Sequence, residues 1–421
     1  MQEKRSDPVR GRGSVLLFSG VFFLFAAIAV IGYVSANPHA CYGAGDCVHY
    51  TAMTEAFRAW TPTTIPFPFN TRVLAPFLAS LFPYEITDSF LILNLICVIL
   101  FLVFLALIIW ELELGSVDYL LIGLWFLLHP SGFPTYYANP KLVDPLAYAI
   151  FALVILCYIK NWRFFLVISL IAGLLTKQTF LVLALLITLA DLMFSSKVRF
   201  AKDFDCDAKR NFCFFVGIEK RTVYFLIGLY FAIYLTLDFL KAVEKEAFPL
   251  PFYPAPSSLG TIIHFLKESL REPFRIIVWF GSIFSATGFF LVYVYPAKRA
   301  LQFALKSKVA FFLFIGSLAF LVLGLLGGSD MTRIIFNGNL LILLFVSLLA
   351  KAGTFSKTFH FAAVTLSAAM MLLYTHFFPT AFEYAYYVGH DVSGISIFLM
   401  IMSLFSLMLV FARHHLLDEA Q

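Results

Sequence analysis

Six short polar stretches carry the residues of this chain that can do chemistry. Gly45-Asp46-Cys47-Val48-His49-Tyr50 sets a carboxylate beside an imidazole and a phenol. An Asp after Gly in a loop is commonly a turn former, but a carboxylate partly shielded from water can also take a proton from a hydroxyl as a general base. Phe69-Asn70-Thr71-Arg72 offers a guanidinium. That group either anchors at a membrane boundary or grips a phosphate through paired hydrogen bonds. Asn139-Pro140-Lys141-Leu142-Val143-Asp144-Pro145 places Asp144 just inside an apolar segment. There it is either a helix-start residue ahead of a Pro or a functional intramembrane charge.

Thr176-Lys177-Gln178-Thr179 puts a cation in a tight turn between apolar segments. Gly327-Gly328-Ser329-Asp330-Met331-Thr332-Arg333 opens another segment with glycines, an acid and an Arg, a pattern suited to anions at a helix start. Tyr384 to Asp391 clusters aromatics with His390 and Asp391. Such clusters form interfacial belts and also stack on sugar rings. Taken together, the candidate site is Asp46 and Asp144 as catalytic carboxylates, with His49, Tyr50, Arg72, Lys141, Lys177, Gln178, Asp330, Arg333, His390 and Asp391 binding substrate. Carboxylates, cations and aromatics in one place suit a reaction that needs a base for an alcohol and cations for a phosphate leaving group.

The elements that must position these residues are apolar. The 421-residue chain is 61% hydrophobic and 13% charged, about half the charge of a soluble domain. It reads as one all-α polytopic membrane domain spanning residues 1–421, with about twelve spans. These fall near 14–36, 87–110, 116–130, 142–160, 163–176, 178–195, 223–243, 274–295, 308–326, 333–350, 358–376 and 394–412. The first is too long for a signal-peptide core and reads as a retained helix behind a basic leader. With both termini inside, most of the 30 Lys and Arg residues fall in the inside connections, as the positive-inside rule requires. Segment 196–222 is then a charged cytoplasmic connection, and 37–86 and 244–273 are outer loops. In the first outer loop, His49–Trp60 and Arg72–Leu81 are long enough for short interfacial helices but not for spans. With that alternation, all six polar stretches face the non-cytoplasmic side.

Other polar features read as bland. Cys41 and Cys47 flank a short outer loop and can pair in an oxidising compartment. Cys206 and Cys213 lie near Asp203, Asp205 and Asp207 in no metal-ligand spacing, and Cys97 and Cys157 are packing residues. No extended basic tract with interleaved aromatics exists, so no nucleic-acid partner is expected.

The order of motifs carries a resemblance. A first span is followed by Gly-Asp-x-x-His-Tyr and Phe-Asn-x-Arg-Val-Leu-x-Pro, then by an Asp-Pro opening a later span, Leu-Thr-Lys-Gln-Thr, and Gly-Gly-x-Asp-x-x-Arg. This order resembles the multi-spanning GT-C glycosyltransferases, especially their bacterial branches, across most of the chain. The resemblance implies transfer of a sugar from a polyprenyl-phosphate or related lipid carrier to a lipid, glycan or protein acceptor. It implies an active site on the outer face of an inner membrane, inversion at the sugar carbon, and a first-loop carboxylate as base, the position of Asp46. Arg72, Lys177 and Arg333 would face the carrier phosphate. Many members carry two close acidic residues in the first loop. Here Asp46 has no acidic partner until Glu55, so no metal or other cofactor is expected. The rival reading is a transporter or flippase, which would show polar groups near the bilayer midplane, broken helices and repeats. Deep polar residues are few here, Asn94 among them, and no internal repeat is evident.

Overall fold

The structure is a computed structural model. It describes residues 12–35, 46–63, 65, 69–129, 131–200, 297–326 and 331–353, with isolated positions at 228, 267, 279, 282, 283, 286–288 and 367. The described residues form helices and short connections, with no strand among them. In chain order the described helices are α1 (Arg12–Val34), α2 (Asp46–Ala59), α3 (Leu74–Ser80), α4 (Ile86–Glu111), α5 (Ser116–Leu128), α6 (Phe133–Ala138) and α7 (Asp144–Ile159). They continue with α8 (Arg163–Leu174), α9 (Thr179–Phe200), α10 (Ala297–Ala304), α11 (Lys308–Leu326), α12 (Met331–Asn337) and α13 (Asn339–Lys351). A single 3₁₀ turn, Phe69–Thr71, precedes α3.

Three of these, within α1, α4 and α11, are long and apolar enough to cross a membrane; five others are apolar but shorter. Helix is the natural form for such sequences, because hydrocarbon offers backbone groups no other partner. The expected spans at 14–36, 87–110, 116–130, 142–160, 163–176, 178–195 and 308–326 each coincide with a described helix to within a few residues. The expected span 333–350 is broken in two at Gly338. A Cβ there would meet the Cβ of Phe320 at 2.3 Å, so the break coincides with a close approach of α11. The expected spans 223–243, 274–295, 358–376 and 394–412 lie outside the described residues, apart from isolated positions. Both short helices expected in the first outer loop are present as α2 and α3. α2 begins at Asp46, three residues earlier than the apolar pattern implied, and an acidic residue favours such a helix start. Neither α6 nor α10 was expected.

Packing is organised around α4, α7 and α11. α4 lies against α7, α1 flanks α4 and α5, and α9, α12 and α13 pack on α11. Glycines set two of the close approaches. The Phe25 ring of α1 sits where a Cβ of Gly123 in α5 would be, 2.2 Å away, and Phe180 of α9 covers Gly173 of α8 in the same way. Phe25 also meets Tyr119 edge-on at 5.2 Å. Turns are tight because three residues, Trp60, Glu113 and Asn161, take positive φ. After each, the next amide reaches back five residues: Thr61 to Ala56, Leu114 to Ile109 and Trp162 to Cys157. This is the helix-ending geometry that glycine usually supplies. The α5 start is closed by Asp118, whose carboxylate accepts the Gly115 N–H at 2.9 Å.

The deep polar residue Asn94 is accounted for by the fold. Its Nδ2 donates to the Pro140 carbonyl at 2.8 Å, tying the α6–α7 connection to the first third of α4. Gly123→Leu should therefore push α1 from α5 and cost about 1–3 kcal/mol by overpacking. Gly20→Leu on the same α1 meets nothing within 4 Å and should stay within about 0.5 kcal/mol of the parent. Thermal unfolding of the two variants in detergent checks the difference.

Candidate functional site

Five separate parts of the sequence meet at one end of the bundle. α2 starts with Asp46 and carries His49 and Tyr50 one turn on. The 3₁₀ turn delivers Arg72, α7 starts with Asp144, the α8–α9 turn holds Lys177 and Gln178, and α12 carries Arg333. A backbone hydrogen bond from Leu74 N–H to the Leu175 carbonyl, 3.0 Å, pins the α3 start to the α8–α9 turn. Gln178 reinforces this link. Its Nε2 donates to Thr71 Oγ1 at 2.8 Å, and its Oε1 accepts from Arg72 Nε at 3.2 Å and Nη2 at 3.1 Å.

The charges interlock. Lys177 Nζ donates to Asp144 Oδ1 in a pair almost sealed from solvent. Arg333 lies between the two carboxylates, its Nε 3.8 Å from Asp144 Oδ2 and its Nη2 3.6 Å from Asp46 Oδ2. Arg72 Nη1 stands 3.9 Å from the same Asp46 oxygen and donates to the Tyr50 hydroxyl at 3.1 Å. Three cations thus share two carboxylates. The carboxylates differ in access: the Asp144 side chain is 2% exposed and that of Asp46 29%. Separations of 3.6–3.9 Å exceed a direct charge-assisted hydrogen bond, so Asp46 is framed by guanidiniums without being locked to them.

An aromatic floor lies beneath. His49 stacks on Phe69 at 4.4 Å, Tyr50 meets Phe69 edge-on at 5.8 Å, and the Arg72 guanidinium stands 5.7 Å above the same ring. Burial lowers the His49 pKa, with Asp46 opposing, so the imidazole is neutral at pH 7. Burial pushes the Tyr50 hydroxyl up to about 12 against the pull of Arg72, which leaves it a proton donor. Burial also works against the charge on Arg72, but the Tyr50 and Asp46 oxygens outweigh it and raise its pKa. Burial lowers the Lys177 pKa, with Asp144 opposing.

The sequence pattern also picked out residues that the structure treats differently. Lys141 is half-buried three positions before Asp144, in the α6–α7 connection. Asp330, His390 and Asp391 lie outside the described residues. Cys47 is disulfide-bonded; Cys41, the cysteine expected to pair with it, lies outside the described residues. Three site residues were missed. Thr71 holds Gln178. Tyr148 and Tyr136 share a hydrogen bond at 3.1 Å under Asp144, and Tyr148 also donates to the Ser131 carbonyl at 3.1 Å. Tyr148 follows Asp144 by four positions, the spacing of one helix face, and that spacing was the available signal.

No protein-family model matches this chain, and no curated protein matches it significantly.

The interlocked charges have an energetic signature. Lys177→Met or Asp144→Asn alone should each cost about 3–5 kcal/mol, because each strands the partner's charge in the interior. The double variant should cost clearly less than the sum. Unfolding midpoints of the three variants in detergent form the double-mutant cycle that checks it.

Proposed function

We propose that the chain is a multi-pass membrane glycosyltransferase of GT-C type. It moves a sugar from a lipid-phosphate carrier to an acceptor hydroxyl on the outer face of a bacterial inner membrane. The observation that carries this reading is one reachable carboxylate, Asp46, flanked by two guanidiniums, Arg72 and Arg333. In the proposed reaction the acceptor hydroxyl gives its proton to Asp46 and attacks the sugar carbon from the face opposite the phosphate. The sugar–phosphate bond breaks with inversion, and the bonding pair leaves on the phosphate oxygen. Arg72 and Arg333 stabilise the charge that develops there.

Asp144 suits a different role. Its carboxylate is nearly sealed and already holds Lys177 and Arg333, so it positions cations and does not exchange protons with the acceptor. The Arg333 guanidinium occupies the gap between Asp46 and Asp144, where a divalent cation bridging the two would have to sit. The proposed chemistry therefore runs on side chains alone. His49, backed by the buried Phe69 ring, offers a ring face of the kind that sugar rings stack on.

The proposed topology has about twelve spans with both termini inside. The site lies at the end of the bundle reached by the α1–α2, α6–α7 and α8–α9 connections. A disulfide at Cys47, next to Asp46, supports an oxidising compartment on that side. Against the transporter reading, the amide of Asn94 is taken up by the Pro140 carbonyl.

Asp46→Asn keeps the shape of the side chain and removes the base. It should lower transfer roughly a hundredfold or more while leaving the fold intact. Arg72→Lys should also be severe, because a lysine cannot satisfy Gln178 and Tyr50 at once and still face a phosphate. The assay follows labelled sugar from a polyprenyl-phosphate donor into membrane glycolipid or protein. Normal transfer by a well-expressed Asp46→Asn variant would remove Asp46 from the mechanism and with it this reading of the site.

A further inference from the structure

We infer that Gln178 is a positioning residue for phosphate binding. It holds Arg72 by one edge of the guanidinium without neutralising it, and so presents the remaining N–H groups to a lipid-borne phosphate. The inference rests on the part of the proposed function in which Arg72 faces that phosphate. The sequence pattern placed Gln178 among the groups that touch substrate, and its contacts give it a different task.

A guanidinium carries five N–H donors in one rigid plane, and three of those in Arg72 are taken. The Nε–H and one Nη2–H share an edge, and both go to Gln178 Oε1, at 3.2 and 3.1 Å. One Nη1–H goes to the Tyr50 hydroxyl at 3.1 Å. One N–H is left on each terminal nitrogen. Among the described residues, Asp46 Oδ2 lies 3.9 Å from Nη1, too far for a direct charge-assisted hydrogen bond. Two N–H groups on one planar fork are what paired recognition of a phosphate uses. The Arg72 side chain is 14% exposed, so its neighbours fix the plane.

Gln178 is itself fixed at both ends. Its backbone carbonyl accepts the Leu181 N–H at 3.0 Å as α9 begins, and the preceding Lys177 N–H closes onto the Gly173 carbonyl at 2.7 Å. At the other end, Nε2 donates to Thr71 Oγ1 at 2.8 Å. The amide oxygen is therefore the atom turned to Arg72, which has only donors to offer.

Charge explains why an amide stands here. A carboxylate of the same shape would accept the same two N–H groups and hold Arg72 more firmly. It would also set a full negative charge in contact with the guanidinium that the phosphate must share, and like charges so placed weaken binding steeply. The amide aims Arg72 and leaves its charge to the ligand.

The test uses the full chain in dodecyl maltoside and titration calorimetry with geranylgeranyl phosphate, with geranylgeraniol as the probe lacking phosphate. The parent should bind the phosphate about tenfold tighter than the alcohol, the scale of one charged hydrogen-bonded contact. Gln178→Glu should keep or raise the thermal midpoint, yet lose about tenfold or more in phosphate affinity with the alcohol unaffected. Gln178→Met leaves Arg72 its charge but frees its edge. It should unfold earlier than the Glu variant and still bind phosphate better than it. A purely structural brace gives affinities that follow stability, and that order overturns the inference, a Glu variant that fails to fold included. So does parent-like phosphate binding by Gln178→Glu, an equal loss for the alcohol, or a parent that binds both probes alike. Sugar transfer measured on the same preparations separates the two readings. A parent that binds phosphate in this way but transfers nothing keeps the role of Gln178 and removes glycosyl transfer.

Discussion

Lys177 and Asp144 form an opposite-charge pair almost wholly out of water, and the candidate site is arranged around that constraint. Neither ion could stay charged there alone, since an uncompensated buried charge costs several kcal/mol. Their pairing fixes the start of α7 against the α8–α9 turn. Gln178, next in the turn, is thereby aimed at Thr71 and Arg72, and Arg72 is aimed at Asp46 and Tyr50. Arg333 joins the network from α12 because Asp144 has a second oxygen to offer. The links through Lys177, Gln178, Thr71 and Tyr50 are direct hydrogen bonds and those from Arg333 and to Asp46 are looser ion pairs, whereas the packing beneath is apolar and set by the fit of rings over glycines.

The same balance of charge recurs at the other end. Asp191 holds Arg163 and Lys308 much as Asp144 holds Lys177 and Arg333. Between the two clusters, α7 and α8 bury apolar side chains with few polar exceptions. The bundle is thus closed at each end by one nearly inaccessible carboxylate shared between two cations. The ends differ in what stands beside them: a reachable second carboxylate and stacked rings at one, exposed aromatics at the other.

Much of this was legible in the residues. The lengths of the apolar runs located α1, α4, α5, α7, α8, α9 and α11, because a helix is the only economical form for them in lipid. The gathering of Asp46, Arg72, Asp144, Lys177, Gln178 and Arg333 was expected from an alternation of spans that would send every second connection to one side. Other features were not legible. That Asp144 would be sealed and Asp46 reachable depends on side-chain packing from α12 and the α8–α9 turn, which no local pattern encodes. The break at Gly338 depends on Phe320 of a neighbouring helix. The early start of α2 and the α6 helix depend on connections whose composition resembles any polar loop. Tyr148 resembles packing, as any aromatic inside an apolar run does, although its spacing from Asp144 places it on the charged face.

The Lys177–Asp144 pair is separated by only 33 residues, the span of a single helical hairpin, whereas Arg333 arrives far later in the chain. During synthesis α7 and α8 would emerge with their two charges already within reach of each other. The hairpin can then enter the membrane as a neutral unit and need not insert two ions separately. Arg333 reaches the Asp144 carboxylate only once α12 has followed. Assembly thus has a built-in order, and a chain stopped before α12 would leave Asp46 and Asp144 without the guanidinium that joins them. A truncated product would therefore carry its helices but lack the completed polar network, a difference that membrane quality control can recognise by the unmatched charge.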